Sequence, residues 1–434
     1  MILNYTYINI LIAIIFFFTD LNMNDDWPDW RGRNRDGKWN EKGVLKKFDS
    51  DELEIKWSVP VSAGYSGPTV SDNRVYLTDR INRPATERVL CLDVQTGKSI
   101  WTYSYDCDYI GIGYPAGPRA SVVIDGNRAY SLGAMGHLFC FQKETGDIVW
   151  RRDLNKEYEI RMLTWGIAAT PLVVDDKLIL NIGGSDNAGI LALDKYSGKE
   201  LWRNLEDDAS YVAPILIQQA GHRVVVAWTG QRILGLNPEN GAIHWQQAFN
   251  QSRMVINIAT PVVYNNYIFV STFYDGSMLL KLGDHDLSVS LVWKRAGKNE
   301  RNTDALHCCM STPVIQKDFI YGVDSYGELR CLDLQTGDRI WEDLTAVKKD
   351  RWANIHFVQN DHNTYMFNEH GELIIAKLSK DGFQEIDRAK LIEPTTEQLN
   401  RSGAGVTWAH PAFASKHVFA RSDRELVCVD LSEK

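Results

Sequence analysis

Five ten-residue stretches of this chain are variants of one another. They read LDVQTGKSIW at 92–101, FQKETGDIVW at 141–150, LDKYSGKELW at 193–202, LNPENGAIHW at 236–245 and LDLQTGDRIW at 332–341. In all five a Trp follows a Gly by four residues. The local chemistry is that of a strand, a tight turn and a strand, with Gly where the turn needs positive φ. A unit that recurs at a fixed spacing cannot bury its apolar face alone and has to stack on its copies.

Two looser copies extend the series. Trp293 (SLVW) has lost the turn Gly, and Trp57 (IKW) is a strand with no turn before it. The seven structural Trp, at 57, 101, 150, 202, 245, 293 and 341, are therefore 43 to 52 residues apart. An eighth copy, LSKDGFQEI, puts Ile386 where the Trp belongs. Between these markers lies a second one, a small or polar residue, often Pro, opening an apolar strand. It occurs at Gly67, Arg119, Thr170, Ala213, Thr260, Thr312, His356 and His410. Each is followed by a second strand and a third, so every unit holds four short strands, which is the length of a β-propeller blade. The chain ends on a third strand, RELVCVDL at 424–431, and starts the repeat on an orphan fourth strand, ELEIKWSV. The fold expected is all-β: an eight-bladed propeller of four-stranded antiparallel blades. One N-terminal strand joins three C-terminal strands to close the ring and leaves no open edge.

No linker or charge block interrupts 52–434, so the repeat sets one domain there despite the 434-residue length. Residues 1–20 carry an apolar run at 8–18, the length of a signal-peptide core and too short to span a bilayer. They are expected to be a signal peptide or signal anchor, which places the protein in the periplasm or outside the cell. Residues 21–51 form an N-terminal extension, expected to pack Trp27, Trp30 and Trp39 on the outside or the floor of the propeller. The net charge is -9 with no long basic run, which argues against nucleic acid. Seven cysteines make no disulfide framework. Cys91, Cys140, Cys331 and Cys428 share the third-strand slot as small buried residues.

The longest irregular inserts are 79–88, 105–117, 155–166, 294–310, 344–354 and 388–407. Five connect a blade's Trp strand to the next blade's innermost strand, and the sixth links a second and third strand. Both kinds of connection emerge on one face, where binding in propellers concentrates.

The DxxTGxxxW repeat resembles the tryptophan-docking motif of quinoprotein alcohol dehydrogenase-like propellers. Asp93, Thr96, Gly97 and Trp101 match it in full, as do Asp333, Thr336, Gly337 and Trp341. Ser197 replaces the Thr in one copy and Gln142 the Asp in another. With its DWPDWRGRNRDG opening, the chain is similar to the bacterial PQQ-binding-like β-propeller repeat proteins, a group related to BamB. The resemblance implies a fold more than an activity, because the motif is a packing device.

Residues just before each innermost strand should face the channel mouth. These are Tyr65, Arg119, Trp165, Tyr211, Asn257, His307 with Cys308 and Cys309, Trp352 with His356, and Trp408 with His410. Such a ring could stack a planar ligand, or grip a carboxylate through Arg119. Adjacent cysteines wall the quinone pocket of quinoprotein dehydrogenases, so Cys308 and Cys309 imply an alternative there. That alternative is PQQ with calcium, oxidising an alcohol or sugar, with Glu300, Asn302 and Asp304 near in sequence. The three imidazoles have no local metal-ligand spacing, and no metal site or catalytic residue is assigned. The expectation is an exported, monomeric, non-catalytic propeller without cofactor, binding a protein, peptide or glycan through its loop-rich face.

Overall fold

The computed structural model describes residues 26–396 and 404–433; the signal segment expected at 1–20 lies outside the described residues. Eight four-stranded sheets follow one another along the chain, each built in sequence order from an inner to an outer strand. Blade 1 shows the plan, with Thr69–Ser71 innermost, then Arg74–Asn82, Ala85–Asp93 and, outermost, Ser99–Asp106. Blade 8 departs from it as anticipated. Ala412–Ala414, His417–Arg421 and Glu425–Asp430 take Ile55–Pro60 as their outer strand, antiparallel to Glu425–Asp430. The first and last strands of the ring therefore sit in one sheet.

The turn sequence explains how blades adhere. In blade 1 the Asp93 carboxylate accepts from the Thr96 backbone N–H (2.9 Å) and hydroxyl (2.7 Å), closing the turn. Gly97 then adopts φ 67°, and a Cβ there would lie 2.7 Å from the Trp57 ring of the preceding blade. The indole N–H of Trp57 donates to the Val94 carbonyl in the same turn at 2.9 Å. The arrangement recurs for Trp101 on Lys143, Trp150 on Lys195, Trp202 on Pro238, Trp293 on Leu334 and Trp341 on Ser379. Beneath the ring a small residue is needed: Cys91 pairs with Trp101, Cys140 with Trp150, Cys331 with Trp341 and Cys428 with Trp57. All seven cysteines are buried and free.

Where the motif fails, other contacts replace it. Blade 5 has lost the turn, and Trp245 instead donates to Gln219 Oε1 of its own blade at 2.8 Å. At Ile386 the N-terminal arm covers the gap: the Phe48 N–H donates to Asp387 (2.7 Å), and Leu53 N–H to the Lys390 carbonyl (2.9 Å).

The arm corrects one expectation. It does not stop at the floor but enters the axial channel. Trp27 exchanges both backbone hydrogen bonds with Val70 of the inner strand of blade 1, and the Pro28 carbonyl accepts from Ile124 of blade 2. The Arg35 guanidinium reaches the carbonyls of Thr170 and Pro214 at the entries to blades 3 and 4 (3.3 and 2.7 Å), and that of Pro171. Trp30 donates its indole N–H to Thr260 Oγ1 before blade 5 at 2.8 Å. Gly37 and Trp39 then pair with Gln359 of blade 7 on the way out.

Two inserts are also more regular than their composition suggests. Residues 79–88 extend the second and third strands of blade 1 into a long hairpin, and 155–166 opens with the helix Leu154–Tyr158, capped by Asp153. Among the described residues no helix is long and apolar enough to cross a membrane.

Candidate functional site

The arm fills the channel from the turn side, leaving a cavity of about 150 Å³ between Trp30 and the loop-rich face. Its walls come from the residues leading into the inner strands, so all eight blades contribute side chains to one small volume. Tyr65, Arg119, Trp165, Tyr211, Trp352, His356, Trp408 and His410 all line it, with Cys309. Asn257, His307 and Cys308 do not.

Each exception has a physical reason. Asn257 bridges blades, its amide donating to the Thr229 carbonyl at 3.0 Å. His307 is turned into the junction of blades 5 and 6, where its Nε2 accepts from the Gly297 N–H (3.0 Å). Its Nδ1 therefore carries the proton and donates to the Phe273 carbonyl (3.0 Å). The ring is neutral and fully occupied. Cys308 packs with Phe269 and Ile320, whereas Cys309 packs with Ile256 and Phe273 under Trp352.

Tyr114 and Trp30 are aromatic additions that the sequence did not place here, beside the apolar Ala168, Ile258 and Met310. Tyr114 sits edge-on to Trp165 and Trp352 (ring centroids 6.2 and 5.9 Å) and tilted on Trp408 (6.2 Å), so four rings form one cage. Its loop is held by Arg119, which donates to the carbonyls of Gly117, Gly113 and Tyr114 at 2.7, 3.0 and 2.6 Å. Arg119 is thus committed to shaping the cage. The bidentate grip on a carboxylate expected of it would cost these bonds.

The electrostatics follow from burial. Desolvation lowers the His356 imidazole to about 4 and His410 well below its ordinary value; their rings lie 5.0 Å apart. Burial also pushes the Tyr211 phenol up to about 12. At neutral pH these groups are uncharged. Arg119 lies 4.8 Å over Tyr65, and Arg351 lies 4.5 Å over Trp352. A guest cation about 5 Å from either would meet roughly 3 kcal/mol of repulsion at an effective dielectric near 20. A cation–π contact returns only about 0.5–2 kcal/mol, so the cage does not suit a cation. It suits an apolar or aromatic group.

The buried Nε2 of His410 has no hydrogen-bond partner among the described residues. Such an orphan costs about 1–3 kcal/mol and is recovered by any guest that supplies the missing bond.

The histidines also predict a pH dependence. His356 is held at about 4 in the fold against 6.5 for the free group, so its neutral form is the one that folding favours. Its contribution is complete above pH 6.5 and lost as pH falls from 6.5 to 4, by at most about 3 kcal/mol. Urea unfolding of wild type and His356→Gln across this range should show a shallower acid loss in the variant. Parallel curves would refute the assignment.

A family model described as outer membrane protein assembly factor BamB matches residues 112–343, more than half of the chain. The chain belongs to this BamB family of PQQ-like propellers. The BamB of Moranella endobia is 26% identical over 364 residues, covering 70% of this chain and 84% of that protein. The crystal structure of BamB from Moraxella catarrhalis superposes with a TM-score of 0.59 at 18% identity, over 88% of this chain and 98% of that one. Quinohemoprotein alcohol dehydrogenase from Comamonas testosteroni gives 0.61 at 12% identity, over 94% and 81%. The two structural likenesses establish the shared propeller fold.

The residues present do not fit a quinone with calcium. Calcium takes roughly six to eight oxygen ligands, chiefly carboxylates and carbonyls. The cavity lining has no Asp or Glu, and among the described residues no group of three or more His, Cys, Asp or Glu is placed to hold a metal. Asp304 is bound to Arg295 at 2.9 Å, and Glu300 to Arg351 at 2.8 Å. Cys308 and Cys309 are free thiols in different clusters, and burial pushes Cys308 up to about 12 and Cys309 higher still.

Proposed function

We propose that this BamB-family propeller is an exported, non-catalytic binding module that engages a protein partner through its loop-rich face in the assembly of outer-membrane proteins. The observation that carries this reading is the cage itself. Four aromatic rings and an orphaned His410 nitrogen converge behind that face. Their chemistry is recognition of an apolar group, without an acid, base or nucleophile assigned to a reacting bond. Residues 1–20 serve as the export signal, and the propeller works as a monomer without cofactor in the periplasm.

A photo-crosslinking residue at exposed Ile110, on the loop-rich face, should form adducts with a component of the outer-membrane assembly machinery in cells. The same residue at exposed Gln335, on the opposite turn face, should not. Adducts from Gln335 alone would overturn the proposal. So would dye-linked alcohol oxidation by the purified protein given PQQ and calcium, abolished by Cys308→Ser with Cys309→Ser.

A further inference from the structure

Beside the cage, the loops of blades 5 to 7 enclose a second, polar depression of about 510 Å³. Three guanidiniums face it, from Arg253, Arg301 and Arg351, against the single carboxylate of Glu300. In a chain of net charge -9 this is a local positive excess. Glu300 is bound to Arg351 at 2.8 Å. Arg253 lies over the Tyr274 ring at 4.9 Å, and Arg301 donates from Nε to the Tyr326 hydroxyl at 3.3 Å. Neither Arg253 nor Arg301 forms an ion pair among the described residues. Stacking on Tyr274 and the hydrogen bond to Tyr326 therefore orient two guanidiniums that share the one Glu300 carboxylate with Arg351.

The loop that presents Arg301 is ordered by its own bonds. Asn299 Oδ1 accepts from the backbone N–H groups of Arg301 and Asn302 (2.9 and 3.0 Å), and Ser325 donates its hydroxyl to the Glu300 carbonyl at 2.5 Å. Preorganised arginine is the preferred partner of carboxylates, because little entropy is lost when the bonds form.

The depression and the cage share a wall. Arg351 faces the depression while its guanidinium lies over Trp352, and Trp352 lines the cage. An arginine cluster next to an aromatic socket recognises two features on one ligand.

We propose that the two form a composite site for a peptide bearing a carboxylate next to a large apolar or aromatic side chain. The carboxylate meets Arg253 and Arg301, and the side chain enters the cage at Trp352. This rests on the binding-module reading and supplies the chemistry of its partner. The carboxylate could belong to an Asp or Glu side chain or to a peptide C-terminus, and the test separates them.

The full chain would be titrated, by calorimetry and Trp fluorescence at low salt, with a capped hexapeptide containing Asp-Phe. Two further probes end in Phe, one as the free acid and one as the amide. Binding should weaken about tenfold or more when the carboxylate is made an amide, and likewise when Phe becomes Ala. A preference for the capped Asp-Phe probe assigns the side-chain source, and a preference for the free-acid end assigns the terminus. The double variant Arg253→Ala, Arg301→Ala, both positions being exposed, should lose about tenfold with an unchanged melting curve. Trp352→Leu should remove the Phe preference while keeping the carboxylate preference. No binding of any probe, equal binding of acid and amide forms, or an unaffected arginine variant would overturn the composite site. Inorganic sulfate competing as well as the peptide would do so too. If crosslinking from Ile110 persists in such a case, the binding-module reading stands and only its chemistry falls.

Discussion

Arg421→Ala should lower the unfolding free energy by roughly 3–5 kcal/mol, one of the two largest single-residue losses expected here. Arg421 is fully buried in the second strand of blade 8. Its Nη1 donates to the Thr78 carbonyl in blade 1 at 2.9 Å, its Nε to Ser422 at 3.0 Å, and its Nη2 to Ser62. Ser62 follows the N-terminal strand that completes blade 8, so one guanidinium ties both chain ends to the first blade. Truncation leaves the Ser62 carbonyl without this donor, at about 1–3 kcal/mol. It also leaves Thr78 with the Ser66 hydroxyl alone, and opens a cavity where a fully buried side chain stood. Arg421→Lys should recover part of the loss, since an ammonium keeps the charge but not the planar fork. Urea unfolding followed by Trp fluorescence reads both. A loss below about 1 kcal/mol for the alanine variant would mean that strand pairing alone closes the ring.

Arg35→Ala should release the arm from the channel, at a similar cost of about 3–5 kcal/mol. Arg35 holds Asp29 at 2.9 Å and donates to three blade carbonyls. Removing it leaves a buried carboxylate uncompensated. Burial already raises the Asp29 carboxyl to about 6, with Arg35 opposing the rise. Because the folded value exceeds the free value of 3.8, the Asp29 contribution is complete at low pH and lost as pH rises through about 6. This runs opposite to the histidines. Protease sensitivity of residues 26–51 in the variant should accordingly rise between pH 5 and 7, and Asp29→Asn in the same background should suppress it. An arm equally protected in all three proteins would show that Trp27 and Trp39 hold it unaided.

Much of this molecule could be read before any coordinates. The Gly–Trp spacing gave the blade length, the orphan strand at Trp57 gave the closure, and the residues before each inner strand gave most of the cage. These succeed because they depend on local geometry: a turn, a strand period, and the direction of a connection. What failed is instructive. His307, like His356 and His410, lies on the approach to an inner strand, yet its ring turns into a blade junction because Gly297 and Phe273 offer both its nitrogens a partner. Cys308 and Cys309 are adjacent in sequence, yet the non-strand connection that carries them bends at Cys309 and sends them to different clusters. Arg119 carried a charge suited to a ligand, and the structure spends its donors on the loop of Tyr114.

By itself the sequence determined the eight sheets, their order and the face on which the loops gather, because each unit repeats the same short-range rules. Only the tertiary structure decided which loop side chains meet and that the arm's Trp30 closes the channel beneath them. It also decided that Arg351 and Trp352 join a charged hollow to an aromatic one. Those outcomes depend on contacts between residues tens to hundreds of positions apart, where competition for hydrogen-bond partners and space leaves no periodic trace in the chain.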